Sequence, residues 1–256
     1  MSLYGKSVVV TGASGGLGRS IALGCAERGA HVTIGDIDDG AITAAGSALS
    51  GFGHGVLARR CDLRIEGDVA SLMEAAASTH GGIDYLVNAA GGAADEQQRS
   101  TWPPVSEVDE ALWRATFDTV DRGTFLCAKH AIPYMERNGS GRIVNVHRGQ
   151  GRRIPPENIA DAMSQSVLVV FTRYLAEQVR AHNICVMAIG TDGGGGTGGT
   201  EIADDTFYLA ADAGMELSGH VVDVEDGRLV AIDGELDHET LVRSSPQALA
   251  RGVFPR

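Results

Sequence analysis

Thr11-Gly12-Ala13-Ser14-Gly15-Gly16-Leu17-Gly18 follows the apolar run Val8-Val9-Val10 and opens a helical stretch from Leu17 to Arg28. Glycines in such a turn let the backbone approach a pyrophosphate where a Cβ would collide, and the amides that open the helix offer donors to the anion. The implied chemistry is dinucleotide binding, with Gly12, Ser14, Gly15, Gly16, Leu17 and Gly18 as contacts. A glycine pattern alone is a weak signal; its position between a buried strand and a helix makes it informative. Further on, His31-Val32-Thr33-Ile34-Gly35 reads as a second strand ending at Asp36 and Ile37. A carboxylate there can accept hydrogen bonds from the adenosine ribose. A 2′-phosphate would meet Asp36, Asp38 and Asp39, and neither Ser14 nor Ile37 is a cation. The residues therefore point to NAD(H) and away from NADP(H).

With further motifs downstream, the chain resembles a classical short-chain dehydrogenase/reductase (SDR). The glycine loop matches that family's T-G-x-x-x-G-x-G form, and Cys61-Asp62-Leu63 resembles its adenine-contacting aspartate after the third strand. Asp84-Tyr85-Leu86-Val87-Asn88-Ala89-Ala90-Gly91 resembles the family's N-N-A-G strand end, with Ala89 in place of one Asn. Gly123-Thr124-Phe125, Gly141-Arg142-Ile143-Val144-Asn145 and Phe171-Thr172-Arg173-Tyr174-Leu175-Ala176 continue the likeness, which covers residues 5–227. The resemblance implies that Cys61, Asp62, Leu63, Asn88, Ala89, Ala90 and Gly91 also border the cofactor.

The family's chemistry uses a tyrosine as general acid or base, a lysine four residues later, a serine and an asparagine. The lysine cation lowers the tyrosine pKa and binds the nicotinamide ribose. The serine holds the substrate oxygen, and the asparagine anchors a proton-relay water. Laid on this chain, those positions fall on Val120 for the asparagine, Arg148 for the serine, Asp161 for the tyrosine and Gln165 for the lysine. The substitution does not depend on the alignment. The only lysines are Lys6 and Lys129, preceded at four residues by Ser2 and Phe125, so no Tyr-x-x-x-Lys exists in the chain.

The replacements are poor chemical substitutes. An exposed aspartate titrates near 3.9, far from the near-neutral value that alcohol/ketone proton exchange prefers. Gln165 carries no charge, and Arg148 is permanently protonated. Arg148 is expected to pair with Asp161 and fill the pocket, since charged groups in a partly buried cleft seek partners. It could instead bind a carboxylate. A different site would combine His147 and Asp161 with Arg148, Arg152 and Arg153 for non-redox acid/base chemistry, because histidine titrates near neutrality and arginines fix anions. The remaining histidines show no metal-ligand spacing, so no metal is expected.

After Ile184-Cys185-Val186-Met187-Ala188-Ile189 the family has Pro-Gly and a helical substrate lid. Here the chain runs Gly190-Thr191-Asp192-Gly193-Gly194-Gly195-Gly196-Thr197-Gly198-Gly199-Thr200. A shortened lid is expected near 190–203, because such glycine density is costly to order and brings no apolar side chains to cover a substrate. It reads as a linker, with an anion-binding nest as the other possibility.

A chain of 256 residues can bury a sizeable core, and strand and helix patterns alternate throughout. The expected fold class is α/β: a single Rossmann-like domain over 1–256, a three-layer sandwich whose seven-stranded parallel sheet carries helices on both faces. Strands are expected near 7–11, 31–35, 55–61, 84–88, 142–146, 184–189 and 219–224. Two helices read as long, about 107–138 and 157–182. In the second, Met163, Val167, Val170, Phe171, Tyr174, Leu175 and Val179 form a broad apolar stripe. Its ordinary reading is core packing, and its extra width suits the helix-bundle dimer interface common in the family. A C-terminal extension, 228–256, begins with a possible added strand at Leu229-Val230-Ala231-Ile232, followed by a short helix at 238–249.

The net charge of −12 argues against nucleic-acid and acidic-membrane partners. Widely separated Cys25, Cys61, Cys127 and Cys185 suit a reducing, cytoplasmic location. Neither a signal peptide nor an apolar run long enough to span a membrane is expected.

Three functions fit these residues. The first is an NAD(H)-binding pseudoenzyme of the SDR oxidoreductase family, acting as a non-catalytic subunit beside an active paralogue. The second is an NAD-dependent alcohol/carbonyl oxidoreductase with another acid/base group, such as His147. The third is a non-redox enzyme using Arg148 and Asp161. The expected assembly is a homodimer or homotetramer, or a hetero-oligomer with that paralogue.

Overall fold

The computed structural model describes residues 3–91, 103–148, 159–191, 215–225 and 228–231; for Arg148, Asp161, Thr191, 223–225 and 228–231 it describes the backbone only. The Arg148–Asp161 pairing, Arg152 and Arg153, the glycine-rich segment, the helix at 238–249 and most of the C-terminal extension therefore lie outside the described residues or side chains.

Strands β1 (Ser7–Thr11), β2 (His31–Asp36), β3 (Val56–Arg60), β4 (Tyr85–Asn88), β5 (Gly141–Arg148), β6 (Ile184–Thr191) and β7 (Val221–Glu225) form the expected seven-stranded parallel sheet. An eighth strand, β8 (Arg228–Ala231), adds antiparallel to β7 at the edge, so the possible strand at the head of the extension does form. The order is β3-β2-β1-β4-β5-β6-β7-β8. Strand order reverses between β1 and β4, and at such a switch point the connections leave in opposite directions and open a crevice above the strand ends.

The sheet is apolar on both faces because alternate residues serve different layers. Val8 and Val10 of β1 pack with Ile21 and Cys25 of α1 (Gly16–Glu27) and Ile42 and Leu49 of α2 (Asp39–Ser50). Val9 points the other way, into a cluster with Leu72 and Met73 of α3 (Glu66–His80). The same cluster takes in Leu126 and Met135 of α5 (Gly123–Asn138) and Leu175 and Val179 of α6 (Ile159–Val179). Beneath the crevice, Asn88 Nδ2 donates to Asn145 Oδ1 at 2.9 Å, and Asn145 Nδ2 donates to Thr172 Oγ1 at 2.9 Å. This buried amide chain fixes β4, β5 and α6 to one another, since any break would strand a buried polar group.

Both long helices differ from expectation. The first is divided: a 3-10 turn at Val105–Glu107, then α4 (Glu110–Phe117), a π-helical turn at Asp118–Arg122, and α5. Such a turn holds an extra residue and re-aims the helix, which sequence periodicity does not register. In the second, α6, the broad stripe splits into two faces. Leu175 and Val179 are buried and Phe171 packs on the core, whereas Met163, Val167, Val170 and Tyr174 are exposed, Tyr174 to 72%. Phe125 of α5 is exposed as well.

Candidate functional site

The carboxyl ends of β1 to β4 carry the residues singled out for the cofactor. Gly12 follows β1 at φ +69°, and a Cβ there would lie 2.5 Å from Ala90 N and Cα. Gly18 admits none either, since its Cβ would sit 2.2 Å from the Gly12 carbonyl oxygen. Loop, helix and β4 end therefore interlock through backbone. By contrast, among the described residues a Cβ on Gly15 or Gly16 would meet nothing within 4 Å. Space is thus open at the start of α1, where Gly15 stands in the N-cap position without a side-chain cap. Glycines forced by packing below and open space above make a cradle that fits a pyrophosphate, with the helix amides as its donors.

Asp36 is held by the loop it faces. Its Oδ2 accepts from Ser14 N at 3.1 Å and Ser14 Oγ at 2.7 Å, and its Oδ1 accepts from Ile37 N at 2.7 Å. Asp38 caps α2 by accepting from Ala41 N at 2.9 Å. At the end of β3, Asp62 is engaged by Arg64, with Nε donating to Oδ1 at 2.9 Å and Nη2 to Oδ2 at 2.7 Å. The guanidinium holds the Asp62 carboxyl below the usual range, despite an opposing contribution from burial. Cys61 beside it is inert, because burial pushes its thiol up to about 12. Arg122 donates to the Arg64 carbonyl, and a Cβ on Gly123 would lie 2.9 Å from Leu63 Cβ, so the β3 loop is seated on the π turn.

Across the crevice the groups are of another kind. Val120 is buried on the π turn, and a Cβ on Gly91 would sit 3.7 Å from its Cγ2. Val120 thus lines the wall at the β4 end with methyl groups. Gln165 is buried on α6 and His147 is buried on β5, in register with Gly190 of β6. Arg148 and Asp161 lie at the end of β5 and in the first turns of α6.

The structure adds residues that sequence reading passed over. Among the described residues, both carboxylate oxygens of Asp121, next to Val120, are buried without a hydrogen bond of ordinary geometry, and the fully buried Ser164 hydroxyl of α6 is the polar group that acts on them. Burial raises the Asp121 carboxyl to about 6, partly offset by the Ser164 hydroxyl. A carboxylate one residue past a motif position was visible in the sequence, but its burial was not. Arg64 had a signal in its spacing, two residues past Asp62, where an Asx-type turn brings side chain and backbone together. Among the described residues no group of histidine, cysteine, aspartate and glutamate side chains could hold a metal ion, and no helix is long and apolar enough to cross a membrane.

A doubly wound parallel sheet with a glycine cradle at its switch point defines a nicotinamide-dinucleotide-binding protein of the Rossmann class. The short chain dehydrogenase family pattern matches residues 6–205, and the chain belongs to that family. It is 38% identical over 184 residues to the cis-4-hydroxycyclohexanecarboxylate dehydrogenase of Sinomonas cyclohexanicum, covering 72% of this chain and 71% of that one. A short-chain type dehydrogenase/reductase of Picea abies is 28% identical over 94% of this chain and 91% of its own. Among solved structures, a protein of Sinorhizobium meliloti 1021 assigned as a short-chain alcohol dehydrogenase superposes with a TM-score of 0.79. It is 31% identical and matched over 88% of this chain and 97% of its own.

Proposed function

We propose that the chain binds NAD(H) and serves as a non-catalytic member of its family, supporting an active paralogue in a mixed oligomer. One contrast carries this reading: the cradle at Gly12, Gly15, Gly16 and Gly18 and the held carboxylates Asp36 and Asp62 are intact, while the expected tetrad positions hold Val120, Arg148, Asp161 and Gln165. A bound nicotinamide supplies hydride exchange; the residues of this chain hold the dinucleotide. The ribose carboxylate Asp36 favours NAD(H), because a 2′-phosphate would be repelled. Val120 has no polar atom to anchor water, and Gln165 has no charge to tune an acid. Replacement at every such position fits relaxed demand for catalysis better than coordinated reinvention. The exposed apolar residues Phe125, Met163, Val167, Val170 and Tyr174 support assembly through α5 and α6, with a like chain or a paralogue.

The test is a calorimetric titration with NADH, followed by turnover of cyclic hydroxy acids, other alcohols and ketones, alone and with a tetrad-intact paralogue. Tight NADH binding, no turnover alone and co-purification with the paralogue are expected. Turnover by the isolated chain would sink the non-catalytic reading.

A second reading keeps catalysis with another acid/base group, and Asp121 favours it. Its carboxyl titrates at about 6, near the operating range of a general acid or base, beside the Val120 position. Loss of turnover in Asp121→Asn would establish it.

A further inference from the structure

The adenosine end of the cradle has a cation that chain order conceals. β2 and β3 run parallel with Asp36 in register with Arg60 and Gly35 with Arg59. Registered neighbours in a sheet stand on the same face with backbones about 5 Å apart, well within the length of an arginine side chain. Arg60 thus starts beside the carboxylate that faces the ribose, although 24 positions separate them in the chain.

The two residues are not spent on each other. Asp36 accepts from Ser14 N, Ser14 Oγ and Ile37 N, so its oxygens are turned to the glycine loop. Arg60 reaches instead to Asp68 Oδ2 at 3.9 Å, the far limit of an ion pair, with its side chain 51% exposed. An exposed pair at that separation contributes little and is readily exchanged for a better anion. A phosphate is such an anion: its oxygens match the planar guanidinium fork, and the pair is charge-assisted.

We propose that Arg60 is a latent recognition residue for a 2′-phosphate on the adenosine ribose, kept silent by the neighbouring Asp36 carboxylate. The inference rests on the dinucleotide reading above and extends it. Asp36 is the carboxylate nearest the ribose among the three that disfavour a 2′-phosphate, and the cation that an NADP(H) pocket needs is already in place on the next strand. Removing the Asp36 charge while keeping its shape converts the preference, and removing Arg60 as well abolishes the conversion. Asp38, which caps α2, and Asp39 remain nearby as anions, so the conversion is partial.

The experiment measures binding of 5′-ADP and 2′,5′-ADP by calorimetry to wild type, Asp36→Asn, Arg60→Gln and the double variant, each checked for folding by circular dichroism. The readout is the ratio of the two affinities, which cancels general damage to the pocket. Wild type should prefer 5′-ADP. Asp36→Asn should shift the ratio toward 2′,5′-ADP by about tenfold or more, the scale of one charge-assisted hydrogen bond. The double variant should lose most of that shift, and Asp36→Asn combined with Arg60→Lys should keep part of it. Equal ratios in Asp36→Asn and the double variant would overturn the role of Arg60. Failure of the wild-type chain to bind either 5′-ADP or NADH would overturn the dinucleotide reading, and the proposal with it.

Discussion

The two sides of the crevice differ in how their polar groups are treated. At the ends of β1 to β3 each carboxylate has donors aimed at it: Asp36 from Ser14 and Ile37, Asp62 from Arg64. Across from them, the π turn and α6 present Val120 and the buried amide of Gln165, and they bury Asp121 against Ser164 without a hydrogen bond of ordinary geometry among the described residues. The first side is organised to hold an anionic ligand in a fixed place. The second presents methyl groups, a buried amide and a buried carboxyl. The glycine cradle and the expected tetrad positions stand on different strand ends, so substitutions at one leave the other in place.

The largest effect that would break this contrast is expected at Gly18. Gly18→Val drives a side chain into the Gly12 carbonyl, at 2.2 Å for the Cβ alone. NADH affinity should fall by about 100-fold or more, with a lower melting temperature, because backbone has no cheap way to yield. If the valine variant binds NADH like wild type, the cradle is not the ligand site.

Next in size is the face that the second side leaves uncovered. Val170→Glu places a charge on the exposed stripe of α6 without touching the core. Sedimentation at micromolar concentration should show an assembly for wild type and a monomer for the variant, about a 100-fold weakening for a charge buried in an apolar contact. A wild-type monomer would show that this side does not serve assembly.

A smaller effect belongs to Arg64→Ala, which strips Asp62 of its paired cation. Unfolding by urea should reveal a loss of about 1 kcal/mol near neutrality. Because Arg64 depresses the folded-state carboxyl, its contribution is present above the unfolded value and is lost as pH falls through the folded one. The difference between variant and wild type should therefore shrink in acid, and a constant gap from neutral to strongly acidic pH would argue against the pairing.

The smallest effect has the opposite sign. Asp121 titrates at about 6 when folded, above its ordinary 3.8, so the folded chain holds the proton more tightly. Wild-type stability should fall as pH rises through that window and level off above about 6. Asp121→Asn removes the buried charge and should stabilise the protein at pH 8 by about 1 kcal/mol after allowance for solvent screening. The advantage should fade as pH approaches 4. An asparagine variant less stable than wild type at pH 8 would mean that the carboxylate is satisfied and the second side is more polar than described.

Much of this was legible in the chain. Val8-Val9-Val10 before the glycine loop, and the strand ending at Asp36, are local patterns with local causes: apolar runs for strands buried on both faces, glycines where backbone meets backbone. The seven parallel strands followed from repetition of those patterns. The break at Asp118–Arg122 was not legible, because a single five-residue turn is too short for apolar periodicity to tell π from α geometry. Nor was the division of the α6 stripe, since Val170 and Leu175 are equally apolar as letters and only the neighbouring helix and sheet decide which is covered.

Sequence alone determined the fold class, the phosphate cradle and the absence of any Tyr-x-x-x-Lys, because each depends on residues adjacent in the chain. Tertiary structure alone decided that Arg60 stands beside Asp36, that Arg122 and Gly123 seat the Asp62 loop, and that Asp121 is buried against Ser164. Those relations join strands and helices far apart in sequence, and register, burial and local dielectric arise only once the layers have packed.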